Sequence, residues 1–302
     1  MTTLKTILYF SIFNYPVTKD QIFEFSTYDD LRIIEKEIDF LMSRKIIFKI
    51  NDFYLKTNSN DLVKRRIKAN KRAKTIMPKA LKVSKLIARF PFVEGVALSG
   101  SLSKGVFHNN DDVDFFIITS ANRLWIARTL LILYKKICLL NSKKYFCINY
   151  FIGIDDLEIA EKNKFTAMEI ATLMPTQGEM VFKEFIRLNY WIKNYFPNKE
   201  IEENFRFVAN IRKPIITKLI EALLHNKFGH VLDEFLRKIT LHRWRTKFKL
   251  LPEKDFKVAM KSTKNVSKHH PQNFQKKIIE TLNENYFQVK EKYKITLEPE
   301  HA

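Results

Sequence analysis

The sequence predicts an α/β (α+β) protein: a small mixed β-sheet core, preceded by a helical module that closes on a hairpin and followed by a helical region. Three observations carry this reading. Apolar residues recur at helical spacing up to Ser43, and two short strands around Asn51-Asp52 follow them. Val93–Leu98 and Val113–Thr119 read as strands on either side of a Gly100-Ser101 turn. Beyond Asp155 the apolar residues return to helical spacing.

Taken in order, Leu4, Ile7, Leu8, Phe10, Ile12 and Phe13 mark a first helix, stopped by Asn14-Tyr15-Pro16 because Pro16 disfavours helical geometry at Tyr15. Thr18, with Gln21 three residues on, opens a second helix through a capping box. Leu31, Ile34, Ile38 and Leu41 form the stripe of a third, and Ile46–Ile50 and Phe53–Lys56 form the hairpin. Three helices and a hairpin over residues 1–58 resemble a winged helix-turn-helix module. DNA binding would fall to the third helix, whose mixed and partly acidic face is a poor match for a phosphate backbone; packing or protein contact suits it better.

The predicted core spans residues 62–155. It opens on a basic helix carrying Lys64, Arg65, Arg66, Lys68, Lys71, Arg72 and Lys74, a pattern that reads as a solvated face. Pro78 is expected to kink or restart that helix. After the glycine turn, Val113–Thr119 is apolar apart from Asp114, as for a strand buried on both faces. A helix over 122–139 and a strand over 145–152 complete the unit. Residues 156–302 are predicted as helices over 162–173, 180–195, 213–225, 231–248 and 271–292.

Composition sets limits. The chain has 302 residues, 46% of them hydrophobic, enough for a buried core. Its net charge of +20 admits a nucleic-acid partner, but abundant Lys, Asn, Ile and Phe with sparse Gly and Ala also fit an AT-rich coding sequence. Cys138 and Cys147 fit no metal spacing and read as buried thiols. Met1–Pro16 lacks the marks of a signal peptide, and the longest apolar run, Leu130–Tyr134, is closed by Lys135-Lys136. A soluble cytoplasmic protein is expected.

The chemistry concentrates between Gly100 and Phe115. Strand alternation points Asp112 and Asp114 the same way, with Val113 and Phe115 behind them. Two carboxylates on one face call for a cation, and Mg²⁺ prefers such hard oxygen ligands. A glycine turn beside a helix start offers backbone N–H groups to phosphate. Strand, Gly-Ser turn, short helix and a strand bearing Asp112-Val113-Asp114-Phe115 resemble the nucleotidyltransferase superfamily, the fold shared by DNA polymerase beta, CCA-adding enzymes and aminoglycoside nucleotidyltransferases.

The resemblance implies that Asp112 and Asp114 are catalytic and hold Mg²⁺ (or Mn²⁺) between the triphosphate and an attacking hydroxyl. It implies that Ser101 and the Gly100 backbone meet the phosphates. Lys104, one turn on, is within reach of a phosphate as well. Asp111 faces away and shapes the turn. Many members carry a third carboxylate on a later strand; the residue expected at that position is Asn149, a departure that leaves three readings: an outside base (Asp155, Asp156 or Glu158), slow transfer or transfer to an acceptor already ionised, or nucleotide binding without turnover.

The implied function is transfer of a nucleoside monophosphate from an NTP, with pyrophosphate release, to a small molecule, a protein side chain or an RNA end. The alternative is a regulator that senses nucleotide or binds DNA without turnover. His108 is expected in a solvated loop, and His269 and His270 in a polar stretch at the start of the last helix. Lys238, His242, Arg243, Arg245, Lys247 and Lys249, with Trp244 and Phe248 between them, are a candidate nucleic-acid surface or a solvated helix.

Overall fold

In the computed structural model, which describes residues 1–270 and 272–301, α1 (Thr2–Ser11) buries Leu4, Ile7, Leu8 and Phe10. The turn through Asn14 releases the chain into α2 (Lys19–Glu24). Its capping box is formed: Gln21 N donates to Thr18 Oγ1 at 3.3 Å, and Thr18 N donates to Gln21 Oε1 at 3.2 Å. α3 (Leu31–Ser43) is capped by Asp30, which accepts from Arg32 N at 2.8 Å. β1 (Phe48–Ile50) and β2 (Phe53–Leu55) pair antiparallel, and Val17 bridges to Tyr54, tying the hairpin to the α1–α2 connection.

α4 runs unbroken from Asn60 to Ile87 with Pro78 inside it. Pro78 therefore does not restart the helix. Ala73, Ala80, Ser84 and Ile87 are buried on both sides of the proline, and that packing offsets the roughly 3 kcal/mol an interior proline costs. The next elements are β3 (Val93–Ser99), α5 (Gly100–Ser103), β4 (Asp114–Thr119), α6 (Leu124–Cys138) and β5 (Cys147–Gly153). Then come α7 (Lys164–Ala171), β6 (Met174–Gln177), α8 (Glu179–Leu188), α9 (Ile215–Leu224), α10 (Lys227–Lys247) and α11 (Glu253–Ala259). β7 (Val266–Lys268) and α12 (Phe274–Tyr293) complete the chain; the expected start of that last helix at Pro271 lies outside the described residues.

The sheet order is β6-β3-β4-β5-β7, with β4 and β5 parallel and the other neighbours antiparallel. This is the mixed α/β core the sequence predicts, flanked by helical segments at both ends. Residues beyond 155 also supply its two edge strands. Side-chain alternation divides the core in two. Val96, Leu98, Phe115 and Ile117 face α4 and α6, where Trp125 and Leu131 close the layer. Ala97, Phe116, Ile118 and Ile152 face the other way, onto Phe182 and Phe185 of α8, and α1, α3, α7 and α12 join the same apolar cluster.

Phe182 is fully buried, and its ring stands 6.3 Å from that of Phe116 and 6.2 Å from that of Phe185. Phe182→Ala is expected to cost about 3–5 kcal/mol of folding free energy, read as a lowered denaturation midpoint in urea. Cys147 is buried, but Cys138, expected as a buried thiol, is exposed where α6 runs out to solvent. Among the described residues no helix is long and apolar enough to cross a membrane.

Candidate active site

β3 and β4 lie in register with Ser99 opposite Asp114. The chain then turns at Gly100, at φ +67°, where an added Cβ would stand 2.6 Å from Asp114 Oδ2. Only glycine allows both the left-handed backbone and this approach. The loop after the turn is held from several sides. Ser101 Oγ donates to Asp111 Oδ2 at 2.9 Å, and His108 N donates to the same oxygen at 2.8 Å. Asp111 thus closes the loop and engages the Ser101 hydroxyl, while the His108 side chain is exposed. From α4, Asn70 Nδ2 donates to Gly105 O at 2.6 Å, and Phe107 N donates to Ala69 O at 3.2 Å. Tyr15 OH donates to Lys104 O at 3.2 Å, with the Arg66 guanidinium 3.6 Å from the Tyr15 ring centre.

Asp112 and Asp114 line one cavity of about 430 Å³, with Ser99, Gly100, Cys147 and Asn149 beside them. Val113 and Phe115 are buried behind. Burial pushes the Asp114 carboxyl up to about 6; a hydrogen bond from the Cys147 thiol opposes the rise, and the charges of Asp112 and Glu169 add to it. Burial, with Asp114 next, pushes the Cys147 thiol up in turn, so it stays a protonated donor.

The register of β4 on β5 sets Cys147 beside Asp114 and then slips between Ile148 and Tyr150, leaving Asn149 as the extra residue of a bulge. Asn149 Nδ2 donates to Cys147 Sγ at 2.9 Å. An amide and a thiol therefore stand on β5 beside the aspartates, with no carboxylate there. Asp155, Asp156 and Glu158 are exposed after β5, and Glu158 pairs with Lys162 at 2.6 Å. None of these three lines the cavity.

Two acids that sequence reasoning passed over do line it: Glu161 and Glu169. Glu169 Oε1 accepts from Lys104 Nζ at 2.9 Å, and the same ammonium donates to Gly100 O at 3.1 Å. The signal for Glu169 was an acid set among Ala167, Met168, Ile170 and Ala171 on a short apolar helix. Glu161 is paired with Lys261 at 3.1 Å. Much of the remaining lining is apolar and aromatic, with Phe13, Tyr150, Phe165, Phe274 and Ile278.

The two histidines part company. His270 lines the cavity, while His269 packs against the rings of Trp244 and Phe248, at 5.0 and 5.8 Å. Burial pushes each down to about 4, so both are neutral at pH 7. Trp244 is itself buried against Trp125, under the Arg128 guanidinium. It is therefore a core residue rather than a stacking platform for bases. Among the described residues no group of three or more His, Cys, Asp or Glu is arranged to hold a metal ion.

Residues 82–207 match a family model, that of the nucleotidyltransferase domain. The interval takes in the end of α4, the Gly100 turn, both aspartates, and all of the sheet except β7. No curated protein and no solved structure matches the chain. The presence of this domain supports nucleotidyltransferase activity.

Proposed function

We propose that this chain, which carries a nucleotidyltransferase domain over residues 82–207, transfers a nucleoside monophosphate from an NTP to an acceptor hydroxyl and releases pyrophosphate. The observation that carries the reading is the meeting of Asp112 and Asp114 on one wall of a cavity whose rim is the Gly100 turn. The donor set fits a hard cation. Asp114 is crowded by Asp112 and Glu169, and a positive charge relieves that crowding. Mg²⁺ takes one or two carboxylates and completes its shell with water and phosphate, so two aspartates suffice for an ion shared with the nucleotide. Asp112 and Asp114 would hold Mg²⁺ or Mn²⁺, which when bound neutralises phosphate charge and polarises the phosphoryl oxygen.

The rest of the chemistry belongs to the chain. Gly100 and Ser101 bring their backbone against the phosphates. Lys104, now shared between Glu169 and Gly100 O, turns to the triphosphate and frees the Glu169 carboxylate. The acceptor oxygen forms its bond to the α-phosphorus while the bond from that phosphorus to the bridging oxygen breaks, and pyrophosphate leaves with the electron pair. Glu169 takes the hydroxyl proton, the role Asn149 lacks the charge to fill.

Glu169→Gln is therefore expected to lower kcat on the order of 10²-fold while the Kd for Mg·ATP is kept or tightened, because Lys104 is released. A parallel loss of binding and of melting temperature would assign Glu169 to structure alone. The function itself is tested by incubating the protein with each α-labelled NTP, Mg²⁺ and a cell extract. Label is expected in one of the protein, RNA or small-molecule fractions. Nucleotide bound but never incorporated would contradict the reading.

A further inference from the structure

The α9–α10 hairpin leaves an apolar face uncovered. On α9 the solvent side is Ile215, Ile216, Leu219 and Leu223; on α10 it is Phe228, Val231 and Phe235. These large side chains are 56% to 78% exposed. The spacings i, i+4, i+8 on α9 and i, i+3, i+7 on α10 place each set along one side of its helix.

The other sides of both helices are committed. Thr217 Oγ1 donates to Arg89 O at 2.8 Å, and Glu221 Oε1 accepts from Phe92 N at 2.6 Å. Asp233 accepts from Ile126 N at 2.8 Å at the start of α6, and Arg123 Nε donates to Leu224 O at 2.8 Å. The hairpin is thus held to the body of the protein along its inner side, and its outer face is left to solvent.

We propose that this hairpin is the two-fold interface of a homodimer. Area suits a second copy as the occupant: seven large side chains each more than half exposed make a face on the order of the ~800 Å² each partner contributes to a stable interface, at or beyond the upper end of what a monomer ordinarily leaves in one patch. Shape points the same way. The aliphatic stripe of α9 lies on a helix in contact with α10, which carries Phe228, Val231 and Phe235. A two-fold axis lays α9 of one copy against α10 of the other and closes a four-helix layer in which both stripes are covered.

Lys213 is paired with Glu221 at 2.6 Å and Arg237 with Glu234 at 2.6 Å, while Arg212, Lys218, Lys227 and Lys238 are exposed around the stripes. The hairpin is anchored at Phe92 and Arg123, whereas the aspartates stand at the Ser99 end of β3. The dimer therefore leaves both cavities open, and its test is independent of the proposed chemistry.

The experiment is light scattering on the eluting protein at about 10 μM, with Leu219→Asp/Phe235→Asp as the variant and Leu133→Asp/Ile137→Asp, on the exposed end of α6, as the control. The wild type and the control are expected at twice the 36.0 kDa chain mass. The hairpin variant is expected at the chain mass with an unchanged far-ultraviolet circular dichroism spectrum, which shows that it is folded. Two results overturn the proposal: a wild type at the chain mass, or a dimer that survives the hairpin substitutions. Monomeric wild type that floats with phosphatidylglycerol vesicles, and is released by the same substitutions, would assign the face to a lipid surface instead.

Discussion

Asp114→Asn is expected to lower nucleotidyl transfer on the order of 10³-fold, about 4 kcal/mol of barrier, with the fold intact. The amide keeps the shape of the carboxylate and removes its charge, so the loss reports electrostatics alone. Asp112→Ala is expected to act to a similar extent, since the proposed cation site is built from the pair. Stability should hold, because Asp114 is half-buried and its carboxyl is pushed up to about 6 by desolvation, with the charges of Asp112 and Glu169 adding to the rise. Removing that charge relieves repulsion rather than creating it. Pyrophosphate release gives the activity and a thermal melt gives the stability. A variant that unfolds, or one that retains turnover, would break the link between this pair and catalysis.

Gly100→Ala is expected to separate activity from stability in the same way by a different route. At φ +67° an alanine pays roughly 1–2 kcal/mol for the left-handed backbone. Its Cβ would stand 2.6 Å from Asp114 Oδ2, so the carboxylate must swing aside. A displacement of about 1 Å at a reacting centre costs on the order of 10²-fold in rate. Gly105→Ala is the matched control. It has the same sign of φ, +72°, but its nearest neighbour is Asn70 Nδ2 at an ordinary 3.8 Å. Both variants should lose similar stability, and only Gly100→Ala should lose transfer. Equal activity losses would mean that loop order, not the approach to Asp114, is what the glycine provides.

The central strands were legible because their physics is local. Val93–Leu98 and Val113–Thr119 carry apolar residues on both faces and lie on either side of a glycine turn, and the structure places β3 and β4 there. The edge strands were not. β6 is Met174-Pro175-Thr176-Gln177, and a proline reads as a break; it is tolerated because β6 lies at the sheet edge. β7 is three residues, Val266-Ser267-Lys268, whose strand state depends on pairing with β5 across more than a hundred residues of chain. Periodicity cannot register such a partner.

The site divides along the same line. Asp112, Asp114 and Gly100 sit within one short stretch, so spacing and alternation brought them together before any tertiary information. Glu169 reaches the cavity only because α7 packs under the sheet, and its link to Lys104 spans 65 residues. The bulge that sets Cys147 beside Asp114 and makes Asn149 the extra residue is a matter of register, which a single strand sequence does not specify. Trp244 is similar: on the sequence it interleaves with basic residues, and in the fold it is core.

Whether the group moved is a nucleoside monophosphate is decided with one NTP labelled in two ways. Wild-type protein, Mg²⁺ and cell extract are incubated with the nucleotide labelled at the α-phosphorus and, in parallel, at the γ-phosphorus. α-Label is expected to enter the acceptor fraction while the γ-label released appears only in pyrophosphate, and Asp114→Asn is expected to stop both. γ-Label in the acceptor, or α-label that stays in free nucleotide, would contradict it.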